Sequence, residues 1–244
     1  MLKRAIERAA KRQGINVIPD WRLSSLPLVT KLRQIFEHFG IDTVLDIGAN
    51  RGQFSDLLRH QVGFRGFIHS FEPDPALAGA LSERARSDAS WTVYPIALGA
   101  AAEEKVFNRM NNSEFNSFHA PLRTQPDRFI ESNHIVASFP LDIATLDAMA
   151  DRFGDPAKLY VKIDTQGFDL EVLKGGASLL RQVPAAQTEL SFQPVYDGSP
   201  SFTESLSAFR EVGLVVSDFF LISSDPGLAA VEFDCLLVRD GRAG

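Results

Sequence analysis

Four acidic side chains in this 244-residue sequence stand where the chain pattern can put a carboxylate to chemical use: Asp46, Glu72, Asp164 and Glu189. The first lies in Val44-Leu-Asp46-Ile-Gly48-Ala-Asn50-Arg-Gly52, an apolar strand that runs into a glycine-bearing turn and then a helix. That is the layout of the first unit of a nucleotide-binding fold. The dinucleotide spacing G-x-G-x-x-G fails, because position 50 is Asn and position 53 is Gln. The stretch follows D-x-G-x-G-x-G instead, with Asn50 in the middle glycine's place. Asn is the side chain that best tolerates a positive φ, so the turn survives the exchange. Twenty residues beyond Gly52, an apolar strand delivers Glu72, followed by Pro73-Asp74-Pro75. A carboxylate at the end of a second strand can accept both hydroxyls of a ribose. The alternative is a surface acid before a turn.

The other two acids belong to the second half of the chain. In Leu159-Tyr-Val-Lys162-Ile-Asp164-Thr-Gln166-Gly167-Phe-Asp169-Leu-Glu171, an apolar strand carries Asp164 to its carboxyl end, the edge where open α/β sheets bind ligands. Lys162 in mid-strand must snorkel or pair with a carboxylate. Asp169 and Glu171 suit the positive N-terminus of the helix that follows. Glu189 sits in a β-type run, Thr188-Glu-Leu-Ser-Phe192. If its strand neighbours that of Asp164, the two carboxylates converge as a metal clamp, a base with an orienting partner, or a site for sugar hydroxyls. A structural Lys162–Glu189 ion pair is the competing reading.

Elements must hold these groups in place. Candidate strands are residues 43–47, 66–71, 92–96, 159–163, 187–192, 214–221 and 231–238. Helices are expected near 2–13, 28–39, 53–60, 75–85, 168–180 and 202–212. Strand–helix alternation implies a mainly parallel, doubly wound sheet. The Ser223–Gly227 connection is too short for a parallel crossover, so the last strand should run antiparallel. The division expected is a helical N-terminal leader over 1–40 and one α/β domain over 41–244. That domain carries a lid-like insertion at about 106–141, rich in Asn (108, 111, 112, 116, 133) and Phe (107, 115, 118, 129, 139). A long loop of this kind is usually functional; a covering hairpin without a ligand role is the alternative.

Composition narrows the function classes. Hydrophobic residues make up 45% and charged residues 23%, as in an ordinary globular protein, and no apolar run reaches the ~18 residues of a membrane span. Residues 1–40 hold eight Lys/Arg against three Asp/Glu, leaving −11 on the rest of a chain whose net charge is −6. An acidic body argues against nucleic-acid binding. A single cysteine, Cys235, excludes a disulfide framework and fits a reducing, cytoplasmic setting.

Taken in order and spacing, the Leu45–Gly52 turn, Phe71-Glu-Pro-Asp-Pro75 and the Val161–Gly175 motif resemble the FkbM-type family of S-adenosylmethionine-dependent methyltransferases. Thr145-Leu-Asp147 and Glu189 fit as well, and the similarity spans roughly residues 41–240. One departure is Gln166-Gly-Phe-Asp169, where the family commonly has Glu-Gly-x-Glu, which puts any direct chemical role of position 166 in doubt. The resemblance implies a class I methyltransferase fold, a Rossmann-like seven-stranded sheet with a reversed last strand and helices on both faces. It implies S-adenosylmethionine as cofactor and O-methylation of a sugar or secondary-metabolite hydroxyl. By position, Asp46, Gly48, Asn50 and Gly52 would line the methionine and ribose side, Glu72 the ribose diol, and Ala97 the adenine.

A hydroxyl is a poor nucleophile until it loses its proton, so a base is needed. Asp164 takes that role, or binds the hydroxyl, with Glu189 in support. His119 and His134 in the insertion are alternatives, and His69 is expected to be structural. A magnesium ion between Asp164 and Glu189 is left open. So are a homodimer and two other functions: an NAD(P)-linked oxidoreductase, against which the glycine spacing and the lack of a Tyr-x-x-x-Lys dyad argue, and a non-catalytic binding module. The acceptor, a small molecule or oligosaccharide, would be chosen by the leader and the insertion, which also hold any dimer contacts.

Overall fold

The computed structural model describes residues 23–241, so the helix expected at 2–13 lies outside the described residues. Helix α1 (Leu26–Phe39) opens with Pro27 in its first turn and stops at Gly40, whose φ of 62° is the left-handed conformation that closes helices. It is amphipathic. Val29, Leu32, Ile35 and Phe36 are buried against Val44, Phe54, Leu58, Tyr160 and Leu236, so this part of the expected leader covers one face of the sheet.

Strand β1 (Thr43–Ile47) leads through the glycine turn into α2 (Gln53–Leu57), which widens into a single π turn over Leu58–Val62. Then come β2 (Phe67–Phe71), α3 (Pro75–Ala85), β3 (Trp91–Tyr94) and the short β4 (Ala97–Leu98). Two longer strands follow, β5 (Glu103–Met110) and β6 (Ile135–Ala144). The second half holds β7 (Leu159–Ile163), α4 (Asp169–Gly175), α5 (Ala177–Leu180), β8 (Ala185–Ser191), α6 (Phe202–Glu211), β9 (Leu214–Ser224) and β10 (Ala230–Arg239).

Seven strands form one sheet in the order β3-β2-β1-β7-β8-β10-β9. The pairs β2–β3, β1–β2, β1–β7 and β7–β8 are parallel, and β10 runs antiparallel to both β8 and β9. The reversed last strand inferred from the short 223–227 connection is therefore present, inserted between β8 and β9. β1 and β7 are buried at every position, which is why they read as apolar runs broken by a single charge each, Asp46 and Lys162. The opposite face carries the larger core, where Leu45, Val161, Ile163 and Leu237 meet Phe168, Val172, Leu179 and Phe209.

The segment read as a loop-like insertion is framed by strands. β5 and β6 pair antiparallel, and β4 joins β6 in a second, three-stranded sheet, so only residues 111–134 between them are irregular. Alternating Phe107, Phe139, Leu141 and Ile143 carry the strand signal, which the neighbouring Asn residues obscure. Most other boundaries move by one to three residues, and two elements change more. The helix read as 168–180 breaks at Gly176, where a Cβ would lie 2.7 Å from Leu146 Cδ2. The strand read as 92–96 leaves the main sheet after Tyr94, and its continuation enters the second sheet as β4.

Candidate active site

The glycine turn is held by backbone contacts. Gly48 and Ala49 N–H groups both donate to Phe71 C=O at 3.0 Å, tying the end of β1 to the end of β2. Gly48 has φ 85°, and a Cβ there would lie 1.8 Å from the Asp164 carbonyl oxygen, so only glycine lets β1 and β7 end side by side. Asn50 does adopt a positive φ, 47°. Glu72 reaches back to this turn: Oε2 accepts the Asn50 N–H at 2.7 Å and Oε1 accepts the Asp74 N–H at 2.9 Å. Each oxygen keeps a lone pair for a hydroxyl. Burial raises the Glu72 carboxyl to about 7, against the pull of those two N–H groups.

These groups line one cavity of about 430 Å³, within the ~300–1,000 Å³ usual for small-molecule sites. Asp46, Gly48, Asn50, Glu72, Ala97, Asp164 and Glu189 all contribute to its wall. Gly52 does not. It faces Leu81 of α3, where a Cβ would come within 2.7 Å of Cδ1, and its φ of 85° serves the start of α2. His119 and His134 are also absent from the cavity wall. His134 is exposed, its Nδ1 2.6 Å from the Glu131 carbonyl, while burial lowers the pKa of His119. His69 Nδ1 lies 3.2 Å from the Tyr94 hydroxyl, a packing arrangement within the sheet.

Strand register brings the acids of the second half together. Asp46, Lys162 and Gln187 are neighbours across β1, β7 and β8, and Glu189 stands opposite Asp234 on β10. Lys162 Nζ donates to Asp164 Oδ2 at 2.9 Å and lies 3.8 Å from Asp46 Oδ1, so its partners are these two aspartates. Burial alone would lower the Lys162 pKa, but the Asp164 and Asp46 charges outweigh it and hold the ammonium above its ordinary value. Asp46 is fully buried, and burial raises its pKa despite Lys162. Its Oδ1 has no hydrogen-bond donor among the described residues. A carboxylate oxygen in a cavity wall with a cation nearby but no hydrogen bond can accept one from a ligand. Burial, then the charges of Asp164, Glu232 and Asp234, push Glu189 well above the carboxylate range.

Gln166, with φ 53°, links the pair. Its Nε2 donates to Asp164 Oδ1 at 3.0 Å and Glu189 Oε1 at 3.3 Å, and its Oε1 accepts the Tyr196 hydroxyl at 2.9 Å. Asp169 serves the same turn, accepting Thr165 N–H at 2.9 Å and Oγ1 at 3.1 Å, and burial raises it to about 6. Sequence reasoning had passed over Tyr196, Gln187, Glu232 and Asp234. One signal was present: β7, β8 and β10 each carry polar residues at i and i+2 (Lys162/Asp164, Gln187/Glu189, Glu232/Asp234), which places them on one face of the sheet.

Among the described residues, no group of three or more His, Cys, Asp or Glu side chains is placed to hold a metal ion. Around Asp164 and Glu189, the Lys162 ammonium and the Gln166 amide supply the donors. The insertion lines one side of the cavity and is tied to the glycine turn and α3. Ser113 donates to Asn50 Oδ1 at 3.0 Å, Gln53 donates to Glu114 at 3.2 Å, and Arg109 forms a bidentate pair with Asp74 at 2.6 and 3.0 Å.

A sheet with one reversed strand, a glycine turn after its first strand and an acid after its second define a class I methyltransferase. The chain matches the Methyltransferase FkbM domain over residues 46–216 and belongs to that family, whose cofactor is S-adenosylmethionine. Among solved structures, the FkbM methyltransferase of Methylobacillus flagellatus aligns over 96% of this chain and 70% of its own, at 14% identity and a TM-score of 0.48. The magnesium protoporphyrin IX methyltransferase of Synechocystis, solved with bound cofactor, aligns over 97% and 91%, at 10% identity and a TM-score of 0.46. No curated protein matches this chain.

Proposed function

We propose that this protein transfers a methyl group from S-adenosylmethionine to a hydroxyl of a sugar, or of a glycosylated or secondary-metabolite acceptor. The observation that carries this reading is the placement of Asp164 and Glu189 in the wall of the cavity that the glycine turn and Glu72 also line. The residues present fit the cofactor. Asp46 Oδ1 offers an acceptor to its ammonium, Glu72 offers two to a ribose diol, and Phe71, Ile96, Ala97 and Leu98 offer apolar walls to a base.

When bound, the cofactor supplies an electrophilic methyl group on a sulfonium. The chain's own work is to align the acceptor oxygen, exclude water and take up a proton. Asp164 holds the acceptor hydroxyl and receives its proton. Lys162, donating to the other Asp164 oxygen, keeps that carboxylate oriented. Phe107, Phe115, Phe118, Ser113 and Asn116 of the insertion line the cavity and suit a polyol, since aromatic faces cover sugar rings and amides bond hydroxyls. The insertion thus acts as a lid and selects the acceptor. The Gln166 amide already bridges Asp164 and Glu189, and Lys162 neutralises the Asp164 side, so chelator should leave turnover unchanged. The insertion also exposes Val106, Ile130, Ile135 and Val136, which suits a contact between two copies of the chain; light scattering checks it. The buried thiol of Cys235 agrees with a cytoplasmic setting.

Calorimetry tests the cofactor: S-adenosylhomocysteine binds at micromolar concentration and NAD does not. Transfer of labelled methyl to a panel of sugars and glycosides then tests the acceptor class. Labelling confined to amines or carbon centres would overturn the O-methyltransferase assignment, and no labelling at all would favour a binding module.

A further inference from the structure

We infer that Gln166 is a positioning residue: fixed by Tyr196, its side-chain amide bridges Asp164 and Glu189, a pair that bears one negative charge, on Asp164, with the proton on Glu189. This deepens the function proposed above and rests on it for the meaning of the pair.

The orientation of the amide follows from its neighbours. The Tyr196 hydroxyl has one proton, and both oxygens near it are acceptors: Gln166 Oε1 at 2.9 Å and the Phe115 carbonyl at 3.0 Å. At the other end Asp164, paired with the Lys162 ammonium, can only accept, so the amide nitrogen faces it and the amide oxygen faces Tyr196. Both N–H groups then face the acids, one to Asp164 at 3.0 Å and one to Glu189 at 3.3 Å. The backbone is held as firmly. Gln166 has φ 53°, where a residue with a Cβ rarely rests, and its carbonyl accepts the Ser117 hydroxyl at 2.6 Å. A strained residue fixed at both ends is the mark of a position set by its surroundings.

The two acids are not equivalent. Asp164 receives the shorter amide bond and the Lys162 ammonium at 2.9 Å, while Glu189 receives only the longer amide bond from this network. The groups around Glu189 are otherwise acidic: Asp164 just past the end of β7, Glu232 and Asp234 on β10, and Asp169 on α4. Among the described residues Lys162 is the cation on this face; it bonds Asp164 and lies 3.8 Å from Asp46. Two adjacent carboxyl groups with one nearby cation settle with a single charge. Asp164 is then free to take the hydroxyl proton as the carbon–sulfur bond breaks and the carbon–oxygen bond forms. Glu189 keeps its own proton and can donate it in a hydrogen bond to the acceptor.

Carbon-13 labelling of the glutamate and aspartate carboxyl groups tests this by NMR titration of the full chain, with the Glu189 resonance assigned by its loss in Glu189→Gln. In the wild type, Glu189 is expected to be protonated at pH 7. Gln166→Leu should raise its midpoint by one unit or more, and Tyr196→Phe should shift it in the same direction by less. S-adenosylhomocysteine affinity, read by calorimetry, should stay within threefold in both variants. An ionised Glu189 at pH 7 in the wild type overturns the inference even if Gln166→Leu does not fold, and so does a midpoint unmoved in Tyr196→Phe and Gln166→Leu. Failure of the wild type to bind S-adenosylhomocysteine strikes the methyltransferase reading and leaves the titration result standing.

Discussion

Asp46 on β1 and Lys162 on β7 occupy the same register position of adjacent parallel strands, and Lys162 Nζ lies 3.8 Å from Asp46 Oδ1 inside the sheet's buried face. The lysine also reaches forward to Asp164, so one ammonium joins the cofactor half of the cavity to the acid half. Removing it leaves two carboxylates facing each other with no counter-charge. Lys162→Met should destabilise the protein by about 3 kcal/mol or more, since breaking a buried pair strands its partner. Pairing it with Asp46→Asn should recover part of that loss. Urea unfolding of the single and double variants provides the comparison.

Glu72 accepts one backbone N–H on each oxygen, so an amide cannot replace it. In Glu72→Gln, an NH2 group must face either the Asn50 or the Asp74 N–H, donor against donor. The glycine turn should loosen, and S-adenosylhomocysteine should bind at least tenfold more weakly by calorimetry. Affinity equal to wild type would remove Glu72 from the ribose role.

The ligand-free protein should be more stable in mild acid than at neutral pH. Glu72 is raised from 4.5 to about 7 and Asp169 from 3.8 to about 6. For a raised acid, the folded state holds a proton that the unfolded chain has already released. Its contribution is whole below the unfolded pKa and is lost as pH climbs through the folded one. Between pH 4 and 7, stability should therefore fall, by on the order of 2–3 kcal/mol for Asp169 alone. Asp169→Asn retains the acceptor for Thr165 and should flatten the curve between pH 4 and 6. Thermal melts across that range decide the matter.

Two glycines with nearly the same backbone should respond differently to alanine. Gly48 and Gly63 have φ 85° and 83°, but a Cβ at Gly48 meets the Asp164 carbonyl oxygen at 1.8 Å, whereas at Gly63 nothing lies within 4 Å. Gly63→Ala should cost only the left-handed strain, about 1–2 kcal/mol. Gly48→Ala must push β1 and β7 apart and should abolish S-adenosylhomocysteine binding. Circular dichroism with calorimetry separates the two.

The parallel core was legible in the sequence because β1 and β7 are buried on both faces and so appear as largely apolar runs beside Gly48 and Asp164. Glu72 was legible because its distance from the glycine turn is set by one strand–helix–strand unit. The second sheet was not, since Asn108 and Ser138 interrupt the alternation of β5 and β6 and read as loop. Nor was Gln166: its importance lies in a carboxylate on the next strand and in Tyr196 thirty residues on, contacts that only the tertiary fold creates. Gly52 shows the converse. It fits the motif, yet its neighbour is Leu81 in a helix–helix contact.

The position of β10 between β8 and β9 bears on how the chain is made. In the sheet, β9 has no neighbour except β10 among the described residues, and β10 comes later in the sequence. On a ribosome, the edge of β8 and the whole of β9 stay uncovered until residues 230–239 have been synthesised. Domains generally fold as units during synthesis, but here β9 must wait for the strand that follows it. Val216, Phe219 and Leu221, apolar and partly exposed even in the finished sheet, are the residues a chaperone would meet on the nascent chain in that interval.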